Sequence, residues 1–182
     1  SKEGLFGYID AKGVVVIKPS YDLAGPFYGG LAEIMLDGKT GVINSHGEQV
    51  IPPQFSRSIP FTKNTVLVKQ GSWVSGHFKG REKLENLKGT FIGTGPYGIY
   101  DINDGWIAKP KYDLSIFETE GQGRIWAKEH STREALYGLL NSSGTWDVLP
   151  EFNHVQRLME NRAIVAKDVK SESKNIRLWG AV

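Results

Sequence analysis

The chain has no cysteine among its 182 residues. That excludes disulfide staples, thiol nucleophiles and thiolate metal sites, and it fits a reducing or an oxidising compartment equally well. No run of about 18 apolar residues is present, so no bilayer-spanning helix is predicted. Charge of one sign is hardly in surplus: 22 basic and 20 acidic residues leave a formal net charge of +2, spread along the whole length. Such a balance creates no field that would draw nucleic acid or an anionic membrane surface. The sequence shows no Ser/His/Asp elbow, phosphate loop or HExxH pattern, so no enzyme is expected. The histidines, His46, His77, His130 and His154, are far apart and never at i, i+4 spacing. Neither a metal site nor a cofactor is predicted from them. The chain starts without methionine and stops inside a repeat, and is read as a fragment or processed form; the missing signal-peptide pattern therefore says nothing about export.

What the chain does have is internal repetition. Phe6-Gly7-Tyr8-Ile9-Asp10 returns as Thr40-Gly41-Val42-Ile43-Asn44, Tyr97-Gly98-Ile99-Tyr100-Asp101 and Tyr137-Gly138-Leu139-Leu140-Asn141, and begins again at Trp179-Gly180-Ala181-Val182. Repetition at a fixed period decides architecture before any single residue does. In the first copy the strand reaches Asp10-Ala11-Lys12-Gly13, which fits a type I turn followed by a left-handed glycine, and hence a β-hairpin. Asn44-Ser45-His46-Gly47 and Asn141-Ser142-Ser143-Gly144 fill the same slot, and Asp101-Ile102-Asn103-Asp104-Gly105 carries one extra residue.

A second strand follows, β-branched in the first copy as Val14-Val15-Val16-Ile17, and is predicted to end at Pro19, Pro53, Pro110 or Pro150, where the missing N–H stops the ladder. Next come Tyr21-Asp22, Phe55-Ser56, Tyr112-Asp113 and Phe152-Asn153, whose short polar residues are expected to fold onto nearby backbone N–H groups as a turn made four times. An apolar residue, Phe27, Phe61, Phe117 or Leu158, leads into third strands at 31–35, 65–69, 124–128 and 163–167. Three strands per copy, with regular turn signals and no sustained helical period, predict an all-β fold. Its tandem antiparallel three-stranded repeats would form a curved array, a partial propeller or an open solenoid-like sheet.

These columns resemble those of the WG-repeat family, bacterial β-repeats whose copies run W-G-[YF]-[IV]-D-x-x-G to I-x-P-x-[YF]-D and then F-x-x-G-L-A. The first copy follows that order from Phe6-Gly7 through Ile17-Lys18-Pro19-Ser20-Tyr21-Asp22 to Phe27-Tyr28-Gly29-Gly30-Leu31-Ala32. Later copies drift, and the signature tryptophan survives only as Trp179, its column holding Phe6, Thr40, Tyr97 and Tyr137 elsewhere. The resemblance implies one repetitive β-domain over residues 1–182, about four repeats and the start of a fifth, used for binding and carrying no single activity.

The period breaks once. Equivalent glycines lie about 34 residues apart from Gly7 to Gly41 and about 57 apart from Gly41 to Gly98, the surplus falling at about 71–95. Insertions in repeat proteins map to loops on one face, often the binding face. Within this one, 81–88 is a candidate short amphipathic helix with Leu84 and Leu87 as its apolar pair. The insertion concentrates Trp73, His77, Phe78, Lys79, Arg81 and Lys83, the aromatic and basic residue types that dominate interface energetics, and these are the candidate binding residues. Its charge surplus is too small for the several phosphate contacts that nucleic-acid affinity requires.

Two tempting constellations have plainer explanations. Asp10, Asp22, Asp101 and Asp113 could be read as carboxylate pairs for glycoside hydrolysis, but they alternate with Asn and Ser in register, as turn residues do. Tyr8, Tyr100, Trp106, Trp126 and Trp146 could stack on sugars, but strand aromatics more often pack a core. The sequence thus predicts a non-catalytic binding module whose partner is a protein, with a glycan second. The alternatives are a hydrolase domain acting on carbohydrate or cell-wall material and an inhibitory partner of a toxin or enzyme.

Overall fold

A computed structural model describes residues 4–70, 96–115, 123–130, 135–156, 162–170 and 175–181. Every regular element among them is a β-strand, and each ladder between strands is antiparallel and joins neighbours in sequence. The hairpins form as the sequence predicts. The Oδ1 atoms of Asp10, Asn44 and Asn141 each accept from backbone N–H groups two and four residues on, at 2.8–3.1 Å. In the longer turn Asp101 accepts from Asn103 and Asp104. The closing glycines Gly13, Gly47, Gly105 and Gly144 take φ of +77° to +89°, the left-handed region a side chain disfavours.

The repeating sheet has four strands where the sequence predicts three, and its phase is shifted. Unit 1 is β1 (Phe6–Ile9) and β2 (Val15–Tyr21). Unit 2 is β3 (Leu23–Ala24), β4 (Leu31–Leu36), β5 (Lys39–Asn44) and β6 (Gln49–Phe55). Unit 3 is β7 (Arg57–Pro60), β8 (Thr65–Lys69), β9 (Tyr97–Asp101) and the first half of β10 (Gly105–Leu114). Unit 4 takes the second half of β10, then β11 (Arg124–Glu129), β12 (Tyr137–Asn141) and β13 (Trp146–Phe152). Unit 5 is β14 (His154–Val155), β15 (Ile164–Lys170) and β16 (Asn175–Ala181). Because β10 serves two units, units 3 and 4 form one seven-stranded sheet. Each complete unit therefore takes its first two strands from the end of one sequence copy and its last two from the start of the next.

The prolines do not end the second strands, contrary to expectation: β2, β6, β10 and β13 run through Pro19, Pro53, Pro110 and Pro150. Each lies in a bulge that recurs in four units. Tyr8 pairs with Ile17 and Phe6 with Tyr21, so Gly7 alone faces three residues centred on Pro19. Gly41, Gly98 and Gly138 face Pro53, Pro110 and Pro150 in the same way. The bulge absorbs the missing N–H, and it brings the two backbones so close that only glycine fits. A Cβ on Gly41 would lie 2.5 Å from the Ile51 carbonyl oxygen and 2.7 Å from the Pro53 nitrogen.

Alternation along the strands gives each unit two apolar faces, and successive units pack face to face through four clusters. Tyr8, Ile17 and Tyr21 of unit 1 meet Ala32, Ile34 and Ile43 of unit 2. Val42, Ile51 and Phe55 of unit 2 meet Val66, Val68, Tyr100 and Trp106 of unit 3. Leu67, Tyr97 and Ile99 meet Ile125, Ala127 and Leu140 of unit 4, and Trp126, Leu139 and Phe152 meet Ala163 and Val165 of unit 5. One column therefore always faces the preceding unit (Ile43, Tyr100, Leu140) and its neighbour the following one (Val42, Ile99, Leu139).

The fourth copy is out of step by one residue. Matching the terminal lysines would set Lys167 beside Lys69 and Lys128, but the ladder pairs Ala166 with Trp179 as it pairs Lys69 with Tyr97. Ala163 and Val165 thereby face unit 4, and Ile164 faces away. A one-residue slip exchanges the faces of a strand, and the ladder chooses the register that buries Ala163 and Val165.

Candidate functional site

The expected turn at the Tyr-Asp column is a different device. Asp22 and Asn153 do not fold onto nearby backbone; they accept from the N–H groups of Asp37 and Asp168, 15 residues on, each at 2.7 Å. In unit 4 the Asp113 carboxylate meets Nδ1 of His130 at 2.7 Å, and in unit 3 the Ser56 hydroxyl donates to the Lys69 carbonyl at 3.0 Å. The column pins the first strand of a unit to the far end of its second. Asp22 and Asp113 are held by this pin, and Asp10 and Asp101 by their hairpins, so all four carboxylates have backbone or histidine partners. Among the described residues, no group of three or more His, Cys, Asp or Glu side chains could hold a metal ion, and no helix is long and apolar enough to cross a membrane.

The aromatic candidates belong to the joints between units. Trp106 packs edge-on against Phe55 and Tyr100, Trp146 against Tyr112, and Trp126 against Phe152, with centroids 5.3–6.0 Å apart. Tyr8 lies 4.7 Å from Phe27 and donates its hydroxyl to the Gly25 carbonyl; burial pushes that hydroxyl's pKa up to about 12.

The most unusual chemistry lies where units 2 and 3 meet. Opposite Val42, Ile99 and Leu139 the second strands carry Glu33, Leu67 and Trp126, so a carboxylate occupies a column that is otherwise apolar. Glu33 is only 7% exposed. It accepts from the Ser58 N–H at 2.8 Å and lies 3.5 Å from the Arg57 guanidinium. Thr40 donates to the Ser58 hydroxyl at 3.0 Å beside it. Thr40 stands in the column where the other copies have Phe6, Tyr97, Tyr137 and Trp179; the space an aromatic ring would fill is taken by this polar knot. Burial raises the Glu33 pKa above the usual 4.5, with the Arg57 charge and the hydrogen bonds from Ser58 and Thr40 opposing it.

The folded state thus holds the Glu33 proton more tightly than the unfolded chain does. Its contribution to stability is greatest below about pH 4.5 and falls as pH rises through the raised value. Glu33→Gln should therefore gain on the wild type from pH 4.5 to 7.5, while Arg57→Met, which removes the charge opposing burial, should steepen the wild-type decline. Melting curves across that range check this. Parallel pH profiles for wild type and Glu33→Gln would show that Glu33 titrates no differently when folded.

Beside the knot, a polar row crosses three strands. Arg57 on β7 pairs with Lys69 on β8, and Lys69 with Tyr97 on β9. The Lys69 ammonium lies over the Tyr97 ring, 4.9 Å from its centroid, and Lys128 repeats this over Tyr137 at 5.3 Å. Burial lowers the Lys69 pKa, opposed by the charge of Asp113, and raises that of Tyr97. Like charges directly opposite on adjacent strands repel; Glu33 against Arg57 and Tyr97 beneath Lys69 moderate that cost. Lys69 and Tyr97 stand one residue inside the points where the chain leaves for, and returns from, the long insertion. The insertion itself, with Trp73, His77, Phe78, Lys79, Arg81, Lys83 and the candidate helix at 81–88, lies outside the described residues.

Sequence reasoning missed Glu33, Thr40, Arg57, Ser58, Lys69 and Tyr97. The available signal was departure from a column: an acid among Leu67 and Trp126, and a threonine among aromatics.

The fold and this end define a tandem β-repeat scaffold whose second-to-third-strand connections share one end of each sheet. Residues 6–39 and 41–72 match the family model of the WG containing repeat, so 6–72 is WG containing repeat sequence. The Gly98 and Gly138 copies share its glycine-opposite-proline bulge. No curated protein and no solved structure matches the chain.

Proposed function

We propose that the chain is a non-catalytic binding module that presents the second-to-third-strand end of stacked sheets, with the insertion at 71–95, to a protein partner. The stack itself is a curved array of the partial-propeller or solenoid-like kind, a reading supported by four successive joints built from the same columns. The observation that carries the functional reading is the Arg57–Lys69–Tyr97 row with its buried Glu33. Polar groups kept at a sheet joint cost stability that apolar residues would supply, and they lie at the root of the insertion. A protein partner is favoured over a glycan because Trp106, Trp126 and Trp146 are taken up by the joints between units. A binding role is favoured over hydrolysis because the four candidate aspartates are engaged in turns and pins.

Two variants test this. Replacing 71–95 by a short Gly/Ser linker should leave the β-sheet circular dichroism and the melting temperature nearly intact while weakening capture of the native partner at least about tenfold, a loss of roughly 1.4 kcal/mol. Lys69→Met, which keeps the buried stem and removes the charge, should weaken capture in the same direction. Undiminished capture by both folded variants would move the binding surface elsewhere on the repeats, and hydrolysis of a glycan by the wild type that Asp113→Asn abolishes would overturn the non-catalytic reading.

A further inference from the structure

The Arg57–Lys69–Tyr97 row holds an amine in unusual surroundings, and the next unit supplies its comparison. Lys69 and Lys128 stand at equivalent points of units 3 and 4, one residue beyond the pairs Val68–Gly98 and Ala127–Gly138. Each ammonium lies over the tyrosine that precedes that glycine, Tyr97 or Tyr137. Their neighbours on the first strand of the unit have opposite signs. Lys128 pairs with Asp113, a carboxylate, whereas Lys69 pairs with Arg57, a second cation. The nearest acid to Arg57, Glu33, is engaged by that guanidinium. Lys69 is 6% exposed, and Lys128 is only half-buried. No hydrogen bond or ion pair among the described residues engages the Lys69 Nζ. Among those residues Trp126 Nε1 is the one side-chain polar atom both sealed from solvent and without a partner. The Lys69 amine, equally unpartnered, therefore still meets solvent.

We infer that Lys69 is a nucleophilic lysine that captures a small aldehyde as an imine, with the Arg57 charge disfavouring the protonated amine. A lysine amine is activated by desolvation or by a neighbouring cation, and this row supplies both. Burial holds the Lys69 pKa below the ordinary lysine value, with the Asp113 charge from unit 4 opposing it. In the reaction the nitrogen lone pair attacks the carbonyl carbon and a C–N bond forms. Both amine protons and the carbonyl oxygen then leave as water while C=N closes, so nothing is oxidised or reduced and no co-reactant is needed. The protonated imine keeps its positive charge over the Tyr97 ring, which attracts it as it attracts the ammonium. The narrow access to Lys69 admits a small carbonyl compound and excludes a bulky one. This capture is independent of the protein partner proposed above, because it involves a small molecule and the described row alone.

Reductive trapping of the full 182-residue chain tests this. The protein is treated at neutral pH with propanal and cyanoborohydride, which reduces the imine and spares the aldehyde, and adducts are placed by peptide mass spectrometry. The initial rate at Lys69 should exceed that at Lys128 at least about fivefold, because each unit by which a pKa is lowered gives about ten times more free amine. Access alone would favour Lys128, the more exposed of the two. Arg57→Met should bring the Lys69 rate down to that of Lys128. If that variant fails to fold by circular dichroism, the double variant Glu33→Gln with Arg57→Met takes its place, since it leaves no buried carboxylate without its cation. Modification of Lys69 no faster than Lys128 in the folded wild type overturns the inference, as does a Lys69 rate that the folded Arg57 variant leaves unchanged.

Discussion

Gly41→Ala is expected to destabilise the protein by about 3 kcal/mol or more, the upper range for forcing extra atoms into a packed site. For a chain of this size that is roughly a 10 °C fall in melting temperature. The added Cβ would stand 2.5–2.9 Å from three backbone atoms of residues 51–53, none of which can rotate away. Gly13→Ala is the informative comparison. It sits at φ +83° with open space around it, so its cost is conformational alone, about 1–2 kcal/mol. Thermal melts of the two variants side by side decide the matter. Equal losses would mean that the first glycine of the repeat serves backbone freedom and that the bulge is less crowded than its geometry indicates.

Ile43→Ala should cost about 3 kcal/mol, within the range for truncating a fully buried isoleucine. Ile9→Ala, in the same column and just before the same kind of turn, should cost less than about 0.5 kcal/mol, because Ile9 is already 65% exposed. The sequence offers no local reason for the difference, since both residues are isoleucines preceding an Asp or Asn hairpin. What separates them is that unit 1 covers Ile43, whereas Ile9 is 65% exposed. Comparable losses, read from denaturant midpoints at unchanged slope, would contradict the face-to-face stacking.

The hairpins were legible because their determinants are local: an Asp or Asn side chain and a glycine at fixed offsets close the turn with no help from the rest of the chain. The all-β class was legible from the same signals, reinforced by repetition. The grouping of strands into sheets was not, because a repeating sequence gives the length of the period and leaves its phase open. Phe55-Ser56 reads as a turn between the second and third strands of one copy, whereas the ladder makes it the boundary between two sheets. The role of Asp22 was misread because its partner, the Asp37 N–H, is brought near by the β3–β4 ladder and is invisible to local pattern. Pro19 and its counterparts were misread as strand ends because a missing N–H stops a regular ladder, and the bulge opposite Gly7 is what tolerates it. The polar knot was hidden in plain columns: Glu33 and Thr40 look like drift until the structure places both on the face that meets Ser58 and Arg57.

The fold is built of units stacked face to face out of phase with the sequence repeat, and an aromatic NOESY experiment on the labelled protein tests that most directly. Phe55 ends unit 2 and Trp106 belongs to unit 3, and their rings lie 5.9 Å apart between centroids. Cross-peaks between these two rings, together with ones from Val42 methyls to Val66 or Val68 across the same joint, are the predicted result. Cross-strand contacts within the sheets without any contact from Phe55 to Trp106 would contradict it.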